Sequence, residues 1–142
     1  MDKCVKEYSV GLIFSYSKDK LLLIRKSHPE WQKGLLNGIG GKIEPNETAL
    51  EAVIREVSEE AYLITSADGW KLVLVLHFPL ATIHFYAFLL SDSYFQLPLY
   101  TRIDSPTDES IEVVDLFDFQ LRNDVVHNIR FIIPLAIDRL KF

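Results

Sequence analysis

Glu56, Glu59 and Glu60 stand at spacings i, i+3 and i+4. On an α-helix, at roughly 100° per residue, they fall on one side. Leu50, Val53, Ile54 and Val57 make a neighbouring apolar stripe, so one helix would bury one side and present three carboxylates along the next. Like charges at these spacings cost a helix roughly 0.2–0.5 kcal/mol per pair, and near the C-terminus the macrodipole adds to that cost. A hard cation reverses the sign, because Mg²⁺ seeks oxygen ligands and clustered carboxylates supply them. Taken alone, the cluster reads more readily as a solvated acidic face.

It does not stand alone. The preceding segment reads Asn37-Gly38-Ile39-Gly40-Gly41-Lys42. Glycines let a backbone turn tightly and bring its N–H groups close to an anion. By itself such a stretch is often no more than a tight turn. Running into a carboxylate-lined helix, it sets phosphate-cradling groups beside metal-holding ones. Thr48 and Glu51 form a Thr-x-x-Glu capping box that predicts the helix start, with helical periodicity over residues 48–60.

The elements that must position these groups follow from periodicity and turn residues. Residues 10–14 and 21–24 read as strands joined by a turn at Lys18-Asp19-Lys20, a hairpin. Residues 28–42, rich in Gly and polar side chains, read as a long structured loop. Two strongly apolar strands are predicted over residues 71–78 and 82–90, with a turn around Pro79. Residues 91–109 are turn-rich, and a short strand falls within 111–119. Residues 124–140 read as a terminal helix that Pro134 should kink or split. Interspersed strands and helices give an α/β (α+β) class, with helices packed against a mixed sheet.

The 142 residues suit one domain, residues 1–142. With 49% apolar and 25% charged residues the composition is globular. A net charge of −5 argues against coating a nucleic-acid polymer, but not against a small phosphorylated substrate that arrives with a divalent cation. The single cysteine, Cys4, permits no intrachain disulfide, and His28, His77, His84 and His127 lack metal-ligand spacing. No apolar run approaches the roughly 20 residues of a membrane span, so a soluble cytoplasmic protein without a membrane partner is expected. The aromatic residues of the central strands serve a core or a homodimer interface equally well.

Residues 41–63 read GKIEPNETALEAVIREVSEEAYL and closely resemble the Nudix box, G-x5-E-x7-R-E-U-x-E-E-x-G-U, where U is a bulky aliphatic residue. Gly41, Glu47, Arg55, Glu56, Val57, Glu59, Glu60 and Leu63 are in register. The resemblance, to a MutT-like Nudix hydrolase of the small bacterial and phage type, implies an α/β/α sandwich. It implies hydrolysis of a phosphoanhydride in a nucleoside diphosphate-linked substrate, dependent on Mg²⁺ with Mn²⁺ as the alternative. Glu56, Glu59 and Glu60 would hold the cation, with the Gly41 carbonyl, and take part in catalysis. Glu47 and Arg55 would hold loop and helix together, with Arg55 also orienting a ligand carboxylate. A further acidic residue from a later loop is expected, Glu109 first and Glu112 second; an ordinary acidic loop accounts for either equally well. Asn37, Gly40 and Lys42 would bind substrate. One position departs: Tyr62 replaces the second glycine of the box, and an altered helix exit is the expected consequence.

For the substrate, Asn37 resembles the base-pocket asparagine of oxidised-purine nucleoside triphosphate enzymes, although Asn-Gly also simply favours a turn. Trp31, Trp70 and Phe78 read as packing residues rather than base-stacking ones. Pro79, about 16 residues past the box, is a weak marker for the alternative substrate, ADP-ribose. A nucleotide sensor without turnover is the remaining alternative, with Tyr62 as its first suspect.

Overall fold

The computed structural model describes residues 4–96 and 109–141. The strand β1 (Lys6–Ser15) lies at the centre, with Leu12, Ile13 and Phe14 fully buried. Consecutive buried side chains on a strand point to opposite faces, so a packed layer must lie on each side. After a turn with Lys18 at a left-handed φ of 61°, β2 (Lys20–Arg25) returns antiparallel to β1. It repeats the pattern, with Leu21 and Leu23 in one core layer and Leu22 and Ile24 in the other.

The helix α1 (Ala49–Ala61) covers one face, packing Val53, Val57 and Ala61 against Ile13, Leu22 and Ile39. Its start is the capping box: Thr48 Oγ1 accepts from Glu51 N–H and Glu51 accepts from Thr48 N–H, each at 3.0 Å. The helix α2 (Ile129–Lys141) covers the other face, with Ile129, Ile132, Ile133 and Ala136 against Leu12, Phe14 and Phe85. Between them the described residues form a seven-stranded mixed sheet. Its remaining members are β3 (Leu36–Asn37), β4 (Ile39–Lys42), β5 (Lys71–Phe78), β6 (Ala81–Leu90) and β7 (Ser110–Asp115). The order is β3-β2-β1-β6-β5, with β4 paired to β1 and β7 to β2; only the β1–β6 pair is parallel. The two helices thus flank one mixed sheet, the α/β/α layering that the resemblance implies. Among the described residues, no helix is long and apolar enough to cross a membrane.

Four expectations are corrected, one of them in part. The stretch 28–42 is not one loop, because it contains β3 and β4. There the glycines serve close backbone pairing: a Cβ on Gly40 would sit 2.0 Å from the Ser9 carbonyl oxygen. The terminal helix starts at Ile129 rather than at Asp124, since Val125 bridges to Leu36 and Val126 N–H donates to the Leu36 carbonyl at 2.8 Å. Of the two outcomes expected of Pro134, a kink or a split, the split does not occur. The Pro134 ring lies on the exposed side while Ile132, Ile133 and Ala136 fasten both halves to the sheet, and water can satisfy the carbonyl deprived of its donor.

The helix exit is also not altered. Tyr62 keeps the left-handed conformation at φ 56°, ψ 33°, its N–H donating to the Ser58 carbonyl at 3.2 Å. Its ring is 70% exposed.

Candidate active site

The segment between β4 and α1 is fastened by Arg55. Its guanidinium grips Glu47 with two hydrogen bonds, of 2.7 and 3.0 Å, and reaches the Lys42 carbonyl at 3.2 Å. Glu47 also accepts from Glu44 N–H at 3.0 Å. These bonds, Arg55 foremost, hold the Glu47 carboxyl below its ordinary range. The same guanidinium donates to Glu56 at 2.9 Å and to Glu59 at 3.4 Å, so one cation orients two of the three clustered carboxylates. The third, Glu60, is pushed up to about 8, first by burial and then by a hydrogen bond and charge from Glu56. Glu109 adds to that push and Lys26 opposes it.

The acidic residues of the later segment part company. Glu109 is buried, 4% exposed, beside this cluster. It accepts from Ser27 N–H at 2.9 Å and lies 3.3 Å from Lys26 Nζ and 3.6 Å from His28 Nδ1. Glu112 is clamped instead by Arg25, through two hydrogen bonds of 2.7 Å. Arg25 also holds Asp124 at 2.9 Å, and Asp124 in turn binds Arg122 at 2.8 Å. Glu112 therefore belongs to a network joining β2, β7 and the approach to α2.

A cavity of about 400 Å³ is lined by Gly41, which packs against Glu56, and by Lys26, the ion-pair partner of Glu109, while none of the glutamates lines it. Gly40, Gly41 and Lys26 line one part; Asn37, Asn128, Tyr8 and Phe85 line another. Asn37 donates to Gln32 at 3.0 Å and accepts from Gly38 N–H at 2.7 Å. Lys42 lines a separate, more open groove with Cys4 and Glu47 rather than this cavity. Of the three aromatic residues read as packing, Trp70 is buried against Phe88 and donates to Thr65 at 2.8 Å. Phe78 is half-exposed, and Trp31 is 67% exposed on the cavity lining.

Sequence reading missed Lys26 and Asn128. Lys26 directly follows β2 and Arg25, and nothing nearby announces Glu109, 83 positions away. Asn128 immediately precedes α2 and reads as an ordinary helix cap. Its Oδ1 is shielded from solvent and accepts no hydrogen bond among the described residues, an unsatisfied acceptor within a residue that lines the cavity.

Among the described residues no three His, Cys, Asp or Glu side chains are drawn together as a metal cage, and Arg55 pairs with both Glu56 and Glu59. The chemistry nevertheless suits a divalent cation. Glu56 and Glu60 share a hydrogen bond that disfavours the second negative charge. A Cβ on Gly41 would sit 2.6 Å from Glu56 Oε1, so only glycine lets this backbone and carboxylate lie so close. A hard cation placed there would meet both oxygen types it prefers.

The model of the NUDIX domain matches residues 5–131. No curated protein matches the sequence significantly. Similar solved structures include MutT described for Aliivibrio salmonicida and Vibrio cholerae, at TM-score 0.70 and 16% identity over 94% of this chain and 98% of that one. The NUDIX domain of Shewanella oneidensis NrtR, complexed with ADP ribose, superposes at TM-score 0.75 and 18% identity, covering 98% of this chain and 90% of that one. A bifunctional NMN adenylyltransferase/ADP ribose pyrophosphatase from Francisella tularensis gives TM-score 0.73 and 20% identity over 99% of this chain and 42% of that one. With its sandwich fold, the carboxylates of α1 beside a cavity and a family match spanning nearly the whole described chain, the protein belongs to the NUDIX domain family, the Nudix hydrolases.

Proposed function

We propose that this chain is a divalent-cation-dependent pyrophosphohydrolase acting on a purine nucleoside triphosphate, oxidised purines included. The observation that carries the reading is one cavity with two chemistries. Toward α1 it offers glycine backbone and Lys26 beside the glutamates. Elsewhere it offers aromatic walls and two side-chain amides, Asn37 and Asn128. Side-chain amides both donate and accept, and so match the edge of a purine.

Glu56, Glu59 and Glu60 would hold Mg²⁺ or Mn²⁺, with the Gly41 carbonyl. The bound cation supplies charge neutralisation at the diphosphate and lowers the pKa of an attacking water. Arg55 keeps Glu56 and Glu59 oriented through its grip on Glu47. Glu109, whose carboxylate accepts from Ser27 N–H and lies 3.3 Å from Lys26 Nζ, would take the proton of the attacking water as general base. Gly40 brings backbone close to the phosphates. The phosphoanhydride breaks as water attacks phosphorus, and the departing phosphate group carries the electron pair.

ADP-ribose is the second reading, because one structural neighbour is complexed with it and another is named as its pyrophosphatase. The test is chromatography of products from dGTP with Mg²⁺, comparing the wild type with Glu59→Gln. Glu59 is the most exposed of the three glutamates, its side chain 59% accessible, so the substitution should leave the fold intact. Cleavage that requires the cation and falls at least about a hundredfold in Glu59→Gln is expected, a loss of roughly 2.7 kcal/mol of transition-state stabilisation. Binding of dGTP without turnover in the wild type would favour a sensor instead.

A further inference from the structure

Trp31 is exposed where a tryptophan has most to gain from being covered. It sits in a short 3-10 turn, Glu30–Gln32, none of whose residues is buried. That turn does not need the indole to hold its shape. Gln32 N–H donates to Pro29, Lys33 N–H to Glu30 and Leu35 N–H to Gln32, at 2.8–3.2 Å, while Gly34 N–H and the Lys26 carbonyl close its base at 2.8 Å. The chain's other tryptophan, Trp70, is 5% exposed and hydrogen-bonded, which is the usual fate of so large a ring.

Trp31 nevertheless borders the 400 Å³ cavity, on its loop side with His28 and Pro29, while Val10, Ile83 and Phe85 supply the sheet side. Its neighbour Gln32 reaches into the same cavity to bind Asn37 at 3.0 Å. A flat ring seated against the sheet wall would thus meet the indole on the loop side.

We propose that Trp31 is a substrate-binding residue, a stacking platform that covers the aromatic base of the bound nucleotide. This rests on the nucleotide reading above and adds to it a division of labour. The amides of Asn37 and Asn128 read the edge of the base, and Trp31 supplies affinity through its face, which every base possesses. The phosphates lie toward the glycines and glutamates, so the indole acts on binding and not on the bond broken.

The experiment titrates dGMP, and ribose 5-phosphate as the base-free control, into wild type, Trp31→Phe and Trp31→Ala. Binding is followed by calorimetry and tryptophan emission, with dGTP turnover in parallel. The expected result is quenching of wild-type emission by dGMP but not by ribose 5-phosphate, with no quenching in Trp31→Phe, where Trp70 alone emits. Trp31→Ala should bind dGMP roughly tenfold more weakly, the order of one lost base–aromatic stack. Trp31→Phe should recover most of that, and ribose 5-phosphate should bind all three alike. The KM for dGTP should rise with kcat unchanged. Equal dGMP affinity in wild type and Trp31→Ala, with turnover intact, overturns the platform alone. A lower melting temperature in Trp31→Ala with parallel loss of ribose 5-phosphate binding overturns it in favour of a structural role. A wild type that binds no nucleotide and cleaves none overturns both the platform and the reading beneath it.

Discussion

Glu109 and Glu112 lie three positions apart, yet their partners give them different work. Arg25 occupies both oxygens of Glu112, while Glu109 turns to Lys26 and the Ser27 amide beside the glutamates of α1. Sequence placed the two in one acidic stretch and could only rank them, because their partners come from β2 and the residues after it, more than 80 positions away. Asn128 was hidden for a similar reason, since its local context is satisfied by a helix start. The box residues were legible because their spacing is itself helical geometry. The network around Glu112 has a consequence that can be measured. Hydrogen bonds from Arg122 first, then Arg25, hold the Asp124 carboxyl far below its ordinary value of 3.8. A folded-state pKa depressed below the unfolded one contributes stability above the unfolded value and loses it as pH falls. Wild type should therefore lose stability as the pH drops through about 4 and below. Asp124→Asn should start about 1–2 kcal/mol less stable at neutral pH, the worth of hydrogen bonds to a charged group, and show a flatter acid limb. Urea denaturation over that range decides it; identical acid limbs in the two chains would contradict the assignment.

At the scale of elements, α1 was readable up to its exit because its start is local chemistry. The capping box, the apolar stripe and the acidic face all lie within one stretch, and Thr48 and Glu51 make the reciprocal bonds that the spacing predicts. The strands β1, β2, β5 and β6 were readable because each is a largely apolar run, although β5 has no buried residue. β3 and β4 were not, since their pairing depends on glycines that read as loop, and on β1 lying close enough to exclude any side chain at Gly40. The start of α2 was misplaced because Val125 and Val126 are claimed by β3, a contact no local pattern announces. The exit of α1 shows the backbone demand of the fold prevailing over residue preference, as Tyr62 adopts the conformation that glycine favours. Left-handed backbone costs a residue with a Cβ roughly 1–2 kcal/mol, while glycine gives back part of any gain through its freer unfolded chain, roughly 0.5–1 kcal/mol. Tyr62→Gly is thus expected to stabilise the protein by about 0.5–1 kcal/mol in urea denaturation, with dGTP turnover retained. A destabilised variant would show that the exposed ring makes contacts worth more than the strain.

At the scale of the whole molecule, the sandwich gathers one site from distant parts of the chain. β2 and the turn after it bring Lys26 and Trp31, β3 and β4 bring Asn37, Gly40 and Gly41, and α1 brings the glutamates. Glu109 arrives just ahead of β7, and Asn128 at the threshold of α2. The family and the sandwich could be read from the box and the strand pattern. The cavity could not, because it exists only once five segments meet. Its two kinds of lining are the basis for assigning a base-bearing triphosphate as substrate. Neighbours sharing this fold at 16–20% identity include both MutT and an ADP ribose pyrophosphatase, so fold cannot choose between them. The most direct measurement is kcat/KM of the wild type for 8-oxo-dGTP, dGTP and ADP-ribose with Mg²⁺, each repeated with Asn128→Ala. The account predicts at least about a tenfold preference for a purine triphosphate over ADP-ribose, and a KM rise in Asn128→Ala worth roughly 1–2 kcal/mol for the hydrogen bond removed. A preference for ADP-ribose, or triphosphate cleavage indifferent to Asn128, would contradict it.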